Sequence, residues 1–197
     1  MKFLGDLINN PTAAVETMEK QRNIWKTIVL FVGTGMLLMT NFFLSHFTGG
    51  YPRVISFIFL LAVLGIILEL GFVMGFIIDH YIFLKLTKTE NAGDLSKTLT
   101  WCFLMPLLIY QVGLFLLNLL LISINRIEWI GYIYDTFKWL LYIWVIGLSI
   151  VAVLRHQPQS EHKTRDILGV IGIFALNWAV WTTLNVTFFQ FLFTTFI

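Results

Sequence analysis

The sequence predicts an all-α polytopic membrane protein, a bundle of five transmembrane helices with a short interfacial helix at its N-terminus. Hydrophobic residues make up 58% and charged residues 12% of the 197 residues, and the mean hydropathy is +0.83. These values lie far from those of soluble domains. A helix of about 20 apolar residues crosses the ~30 Å hydrocarbon core of a bilayer. Five apolar runs are long enough: residues 24–47, 54–84, 98–124, 136–154 and 167–197.

An N-terminal segment, residues 1–23, precedes the transmembrane domain, residues 24–197. Asn10 followed by Pro11 is typical of a helix cap and a first helical position. Four apolar side chains then share one narrow face: Pro11, Ala14, Val15 and Met18. This face predicts a short helix lying at the bilayer surface, and a solvated lead-in to the first span is the alternative.

The distribution of basic residues predicts the orientation of the chain, because cytoplasmic loops retain Lys and Arg during insertion. Ten of the thirteen basic residues fall on one side of the predicted bundle. They are Lys2, Lys20, Arg22, Lys26, Lys85, Lys88, Lys97, Arg155, Lys163 and Arg165. The other side holds Arg53, Arg126 and Lys138. The N-terminus is therefore expected in the cytoplasm, and five spans place the C-terminus on the opposite side.

The second span contains a carboxylate near its midpoint. Glu69 lies ~15 Å from either end of the span at 1.5 Å per residue, and an ionisable side chain at that depth costs roughly 2.5–3.5 kcal/mol. At 100° per residue, His80 lies about 20° from Glu69 around the helix, and Asp79 lies about 80° away. These three residues could begin a proton or cation path. We favour a structural role, in which a protonated Glu69 forms a hydrogen bond to a neighbouring helix through Asn118, Asn177 or a Thr.

The same span carries Gly71 and Gly75 in a G-x-x-x-G pair, nearly opposite Glu69 around the helix. Such pairs allow two helix backbones to approach closely. The pair therefore predicts helix packing within the chain, which we favour, or a homo-oligomer formed through this face.

The fifth span carries a stripe of polar side chains. Thr183, Thr187 and Gln190 fall within a sector of about 60° on a helical wheel. Asn177 and Asn185 mark the other flank of this face. Polar groups in hydrocarbon need partners, and an interhelical hydrogen bond contributes only about 0.6–2 kcal/mol. The stripe predicts helix packing, with an oligomer seam or a hydrated crevice as alternatives.

The sequence does not indicate nucleic-acid binding, metal binding or catalysis. A net charge of +2 spread over the loops does not point to a nucleic-acid partner. His156, Glu161 and His162 are not expected to bind metal, because Pro158 interrupts their spacing. The sequence has no nucleophile and base at catalytic spacing and no Gly-rich phosphate loop. We therefore expect no catalytic site, no metal and no cofactor.

Three stretches resemble the Ypt-interacting protein (Yip) family in its compact prokaryotic form. The stretch LINNPTAAVETM resembles the family's opening helix ahead of the first span. The stretch AGDLSKTLTWCFLMPLLIYQVG resembles its lead-in to a helix that is broken, here at Pro106. The stretch IWVIGLSIVAVLRHQPQSEHKTRDILGV resembles its fourth span, cytoplasmic loop and re-entry. The resemblance covers nearly the whole chain in span order and loop length.

The resemblance implies five membrane-spanning helices, no intrinsic catalysis and a place in a bacterial or archaeal cytoplasmic membrane. It also implies a scaffold or accessory role in membrane transport or trafficking, with other membrane proteins and the lipid bilayer as partners. The main alternative, taken from the residues themselves, is a small ion- or proton-coupled transport protein that uses the face of Glu69 and His80. A third hypothesis is an intramembrane lipid-modifying enzyme whose site is assembled from loops.

Overall fold

The computed structural model describes residues 5–6, 9–47, 55–89, 91–123, 130–157 and 161–196 of the chain. These residues form six helices: α1 (Pro11–Gln21), α2 (Ile24–Phe47), α3 (Ile55–Leu86), α4 (Ala92–Ser123), α5 (Ile130–His156) and α6 (Lys163–Phe196). No strand occurs in the described ranges. The all-α class predicted from the sequence is therefore confirmed.

Three helices of the described part are long and apolar enough to cross a membrane: Ala92–Ser123, Thr136–His156 and Lys163–Leu184. A shorter apolar helix covers Ile24–Leu38. At 1.5 Å per residue, the 32 residues of α3 extend over about 48 Å, well beyond the thickness of a hydrocarbon core. The lengths agree with a membrane protein, and the count of five spans stays a prediction.

Helix α1 begins where the sequence predicts. The Asn10 side chain caps it by accepting a hydrogen bond from the Ala13 N–H at 3.1 Å, and Pro11 occupies the first helical position. The apolar side chains of α1 are buried against α4 and α5: Ala14, Val15 and Met18. Protein thus covers three of the four residues of the face that the sequence assigned to the bilayer surface, whereas Pro11 is exposed.

Helix α4 lies at the centre of the bundle and packs against α1, α2, α3 and α5. Helix α6 completes the bundle between α3 and α5. One end of the bundle brings together α1, the α3–α4 connection and the α5–α6 connection, and we call it the α1 end. Large buried side chains of the core lie toward this end, among them Met18, Phe76, Leu84, Leu95, Leu99 and Leu104.

Pro106 lies inside α4 and is buried, but the helix continues through it from Ala92 to Ser123. The break expected at this proline is therefore not present. A proline removes one backbone hydrogen bond of a helix. Helices in apolar surroundings tolerate this loss when neighbouring helices pack around them, and the central position of α4 supplies such packing.

Arg22 forms hydrogen bonds that connect the end of α1 to the start of α4. Its guanidinium donates hydrogen bonds to the Asp94 carbonyl oxygen at 2.6 Å and to Thr98 Oγ1 at 2.8 Å. The same side chain lies 3.2 Å from the Asp94 carboxylate. These contacts connect residues more than 70 positions apart in the sequence, so they fix the position of α1 on the bundle.

A second set of charges connects α1 to the end of α5. Arg155 Nε donates to Glu19 Oε2 at 3.0 Å, and its Nη2 lies 3.7 Å from Glu16 Oε2. Glu16 also accepts a hydrogen bond from Lys20 at 2.6 Å. The hydrogen bond and charge of Lys20, together with the charge of Arg155, hold the pKa of Glu16 below its ordinary value.

Candidate functional site

Helices α3 and α6 run antiparallel and meet along a line of contacts that we call the α3–α6 seam. The contacts extend from the α1 end toward the middle of the bundle. In order they pair Thr89 with Asp166, Phe83 with Gly169, His80 with Val170, and both Asp79 and Gly75 with Asn177. The seam therefore joins polar and apolar residues of α3, together with Thr89 just beyond its end, to residues of α6 that are far away in the sequence.

A buried carboxylate anchors the seam at the α1 end. Asp166 is 1% exposed and lies in the first turn of α6, where the helix dipole favours a negative charge. It accepts hydrogen bonds from Thr89 Oγ1 at 3.0 Å and from Arg165 Nε at 2.9 Å. Arg165 also donates to the Thr87 carbonyl oxygen at 3.2 Å. Both carboxylate oxygens of Asp166 are thus satisfied, which suits a structural role.

His80 lies in the interior of the seam and is 1% exposed. Its Nδ1 is 2.7 Å from the Phe76 carbonyl oxygen, and its Nε2 is 3.2 Å from the Val170 carbonyl oxygen. The Phe76 ring packs beside the imidazole and stacks on Phe103 of α4. A neutral imidazole has one N–H and can donate only one of the two bonds, whereas an imidazolium donates both. A neutral His80, the form that burial favours, therefore donates to only one of the two carbonyl oxygens.

Gly75 makes room for the side chain of Asn177. A Cβ at position 75 would lie 3.2 Å from Asn177 Oδ1, closer than ordinary contact. Asn177 Nδ2 donates to Asp79 Oδ2 at 3.0 Å and to the Ile173 carbonyl oxygen at 3.0 Å. The absence of a side chain at Gly75 thus lets Asn177 reach across to α3.

Asp79 lies on the outer surface of the seam. Its side chain is exposed, in contrast to the neighbouring His80. Two apolar residues beside it on α3, Ile78 and Ile82, are each about half exposed. Among the described residues, the Asn177 amide is the hydrogen-bond partner of the Asp79 carboxylate. A carboxylate therefore interrupts an apolar surface and has a neutral partner.

Four of the sequence-predicted residues meet at this seam: Gly75, Asp79, His80 and Asn177. Gly71 does not take part, because a Cβ there would meet nothing within 4 Å. The two glycines of the G-x-x-x-G pair thus face different surroundings. The helix that approaches Gly75 is α6 of the same chain. Gly71, in contrast, is exposed.

The remaining predicted residues lie elsewhere. Pro106 is buried in α4, and both Thr183 and Thr187 are exposed on α6. The Thr183 hydroxyl donates to the Ala179 carbonyl oxygen of its own helix at 2.8 Å, so it does not connect two helices. The side chains of Glu69, Asn185 and Gln190 lie outside the described part of the structure. The pairing of Glu69 with His80 therefore stays a prediction.

A second polar cluster, which the sequence did not indicate as a group, lies between α2 and α4. Asn41 Nδ2 donates to the Gln111 carbonyl oxygen at 2.8 Å and to Gln111 Oε1 at 2.9 Å. Asn118 Nδ2 donates to Asn41 Oδ1 at 3.3 Å. Gln111 and Asn118 are seven residues apart and so share a helix face. This spacing, together with Asn41 in the first span, could have predicted polar contacts between α2 and α4.

The fold and the seam define an all-helical protein with helices of membrane-spanning length and polar contacts between them. Among the described residues, no group of three or more His, Cys, Asp or Glu side chains could hold a metal ion. In comparisons with known proteins, no family model, no curated protein and no solved structure matched the chain.

Proposed function

We propose that this chain is a non-enzymatic integral membrane protein that acts as a scaffold or accessory partner for other membrane proteins. The proposal follows the resemblance to the Yip family, and includes five spans with the N-terminus in the cytoplasm of a bacterial or archaeal cell. In that orientation the α1 end of the bundle is the cytoplasmic end. The single observation that carries the proposal is the position of Asp79.

The position of Asp79 makes an exposed carboxylate unusual, because it interrupts an apolar surface of α3. Asp79 lies seven residues before Leu86, the last residue of α3, or about 10 Å from the end of the helix. Because α3 is about 48 Å long and the hydrocarbon core about 30 Å thick, each end of a centred helix extends about 9 Å beyond the core, so Asp79 lies near the core boundary. Near that boundary a charged residue costs less than the roughly 2.5–3.5 kcal/mol found at the centre of a span, but such residues still normally face protein or water. The exposed side of Asp79 is therefore expected to meet another protein in the membrane.

The chemistry of the surface specifies the partner. Around Asp79 the surface is apolar, so the partner is a membrane-spanning helix with apolar side chains. Asn177 supplies a neutral donor only, so the partner helix carries a cationic or hydroxyl side chain opposite Asp79. In a symmetric dimer the two Asp79 carboxylates would meet and repel only if Asp79 lay on the two-fold axis. We favour a different chain as the partner, because Asp79 needs a cationic or hydroxyl side chain opposite it.

Substitution of Asp79 tests the proposal. Asp79→Asn keeps the shape and the contact with Asn177 but removes the charge. A hydrogen bond to a charged group contributes about 1.5–3 kcal/mol, so the complex should weaken by about 10- to 150-fold. The measurement is quantitative co-purification of bound membrane proteins in mild detergent, with thermal unfolding as the folding control.

A matched control removes a carboxylate that lies outside the seam. Glu161 is exposed in the α5–α6 connection, and Glu161→Gln should leave every bound protein in place. If Asp79→Asn and Glu161→Gln retain the same proteins in the same amounts, Asp79 does not bind a partner and the proposal fails.

Ion- or proton-coupled transport along the face of Glu69 and His80 is the second candidate function. It is favoured by the two carbonyl oxygens at His80, which an imidazolium satisfies better than a neutral ring. Glu69→Gln separates the two functions, because glutamine keeps a donor and an acceptor but cannot ionise. We expect this variant to retain its partners. A folded Glu69→Gln protein that loses proton flux in reconstituted vesicles would favour transport instead.

A further inference from the structure

An exposed apolar strip, which we call the α3 strip, runs along α3 from the middle of the helix toward the α1 end. Its members are exposed and fall within a sector of about 80° at 100° per residue: Ile67, Gly71, Met74, Ile78 and Ile82. Asp79 borders this sector, about 60° around the helix from Ile82. The α3 strip and the exposed Asp79 carboxylate therefore form one continuous surface.

The charge at the border of the strip selects its occupant. An apolar strip alone does not favour a partner helix, because lipid tails are as apolar as its side chains. Among the described residues, the Asn177 amide is the hydrogen-bond partner of Asp79, and none of their ion pairs includes Asp79. The exposed Lys85 lies about 9 Å farther along α3, with its ammonium 5.9 Å from the centre of the Tyr81 ring. A side chain that complements Asp79 has to come from the occupant.

Gly71 gives the strip a point of close approach. It lies 15 residues before Leu86, about 22 Å from the end of α3 and near the middle of the helix. A Cβ at Gly71 would meet nothing within 4 Å, so no described part of the chain uses this space. Glycine destabilises a helix relative to alanine, but at a helix contact in a membrane it lets two backbones approach closely. A second helix that crosses α3 at this point accounts for the glycine.

We propose that one partner helix packs along the α3 strip, with a small residue against Gly71 and a cationic or hydroxyl side chain opposite Asp79. The inference rests on the proposed function, in which Asp79 binds a membrane-spanning partner, and it adds the course of that partner along α3. Gly71 and Asp79 are eight residues apart, or about 12 Å along the helix. The partner span therefore carries its small residue and its cationic or hydroxyl residue about eight positions apart.

Substitution of Gly71 tests the course of the partner. Gly71→Leu places a side chain in the open space of the strip, so the chain should fold, and retention of the partner in mild detergent should fall at least tenfold. Gly71→Ala should give a smaller loss. Gly172→Leu is the control, because Gly172 is exposed on α6, outside the strip, and a Cβ there also meets nothing within 4 Å. It should retain the partner like the wild type.

Asp79→Asn in the same assay separates this inference from the proposed function. If Asp79→Asn releases the partner but a folded Gly71→Leu protein retains all of it, the course along α3 is overturned and the contact at Asp79 stands. Full retention in both variants would overturn both. An equal loss in Gly172→Leu and Gly71→Leu would also overturn the inference, because the effect would not be specific to the strip.

A second measurement does not depend on the folding of the Gly71→Leu variant. Photoreactive amino acids are placed singly at Ile67 and Ile78, and the cross-linked peptides are mapped in native membranes. The two positions are 11 residues apart, so we expect adducts on one segment of one protein at sites about 11 residues apart. That segment should carry the small residue and the cationic or hydroxyl residue about eight positions apart. Lipid adducts alone at Ile67, adducts on two different segments, or adducts on a second copy of this chain would contradict the proposal.

Discussion

Replacing Gly169 with alanine tests how closely α3 and α6 approach each other. A Cβ at this position would overlap three carbon atoms of the Phe83 ring, so the ring or the helices have to move. Overpacking of this kind costs about 1–3 kcal/mol. Alanine in place of glycine inside a helix contributes about 0.5–1 kcal/mol of stability. We therefore expect Gly169→Ala to lower the free energy of unfolding by up to about 2.5 kcal/mol.

Gly172 on the same helix supplies the control. A Cβ at Gly172 meets nothing within 4 Å, so Gly172→Ala should show only the helix gain of about 0.5–1 kcal/mol. The difference between the two variants then isolates the contact with Phe83, at about 1–3 kcal/mol. The assay is reversible unfolding in mixed micelles, and Phe83→Leu should reduce the loss in the Gly169→Ala background. Equal stability of the two alanine variants would refute the close approach of α3 and α6.

Three further predictions concern α1 and the orientation of the chain. Asn10→Ala removes the helix cap and should lower the stability of α1 by about 1 kcal/mol; unchanged hydrogen exchange in α1 would contradict this. Because the folded-state pKa of Glu16 is lowered, its stabilising contribution is present above its ordinary pKa of 4.5 and is lost as the pH falls below it. Thermal unfolding across that range should show less acid sensitivity in Glu16→Gln than in the wild type, and identical profiles would count against the role of Glu16. Cysteines at Asn91 and Gln159 should react only with reagents in the cytoplasm, and one at Gly50 only from outside; labelling of Gly50 from the cytoplasm would disprove the five-span topology.

Features that depend on neighbouring residues in the sequence were predictable. Asn10 and Pro11 identify the start of α1, because capping is decided within one helical turn. The lengths of the apolar runs predict the long helices. Asp79 and His80 are adjacent in the sequence and therefore project about 100° apart on a helix, which agrees with one being exposed and the other buried.

Features that depend on which helices meet could not be read from one sequence. Gly169 was not singled out, because its importance comes from the Phe83 ring of another helix. Gly75 was expected to allow close backbone approach, and in the structure it admits the Asn177 side chain. The break expected at Pro106 depends on how neighbouring helices support α4. A helical wheel shows which residues share a face but not which helix that face contacts.

The central claim is that Asp79 faces a partner helix in the membrane, and site-specific photo-cross-linking tests it most directly. A photoreactive amino acid is placed at Ile78 or Ile82, beside Asp79, and at Val32 on the exposed face of α2 as a control. In native membranes we expect the first two positions to cross-link an apolar segment of another protein that carries a basic or hydroxyl residue. Asp79→Asn should abolish these adducts, and Val32 should yield lipid adducts only. Lipid adducts alone at Ile78 and Ile82, with or without Asp79→Asn, would contradict the claim.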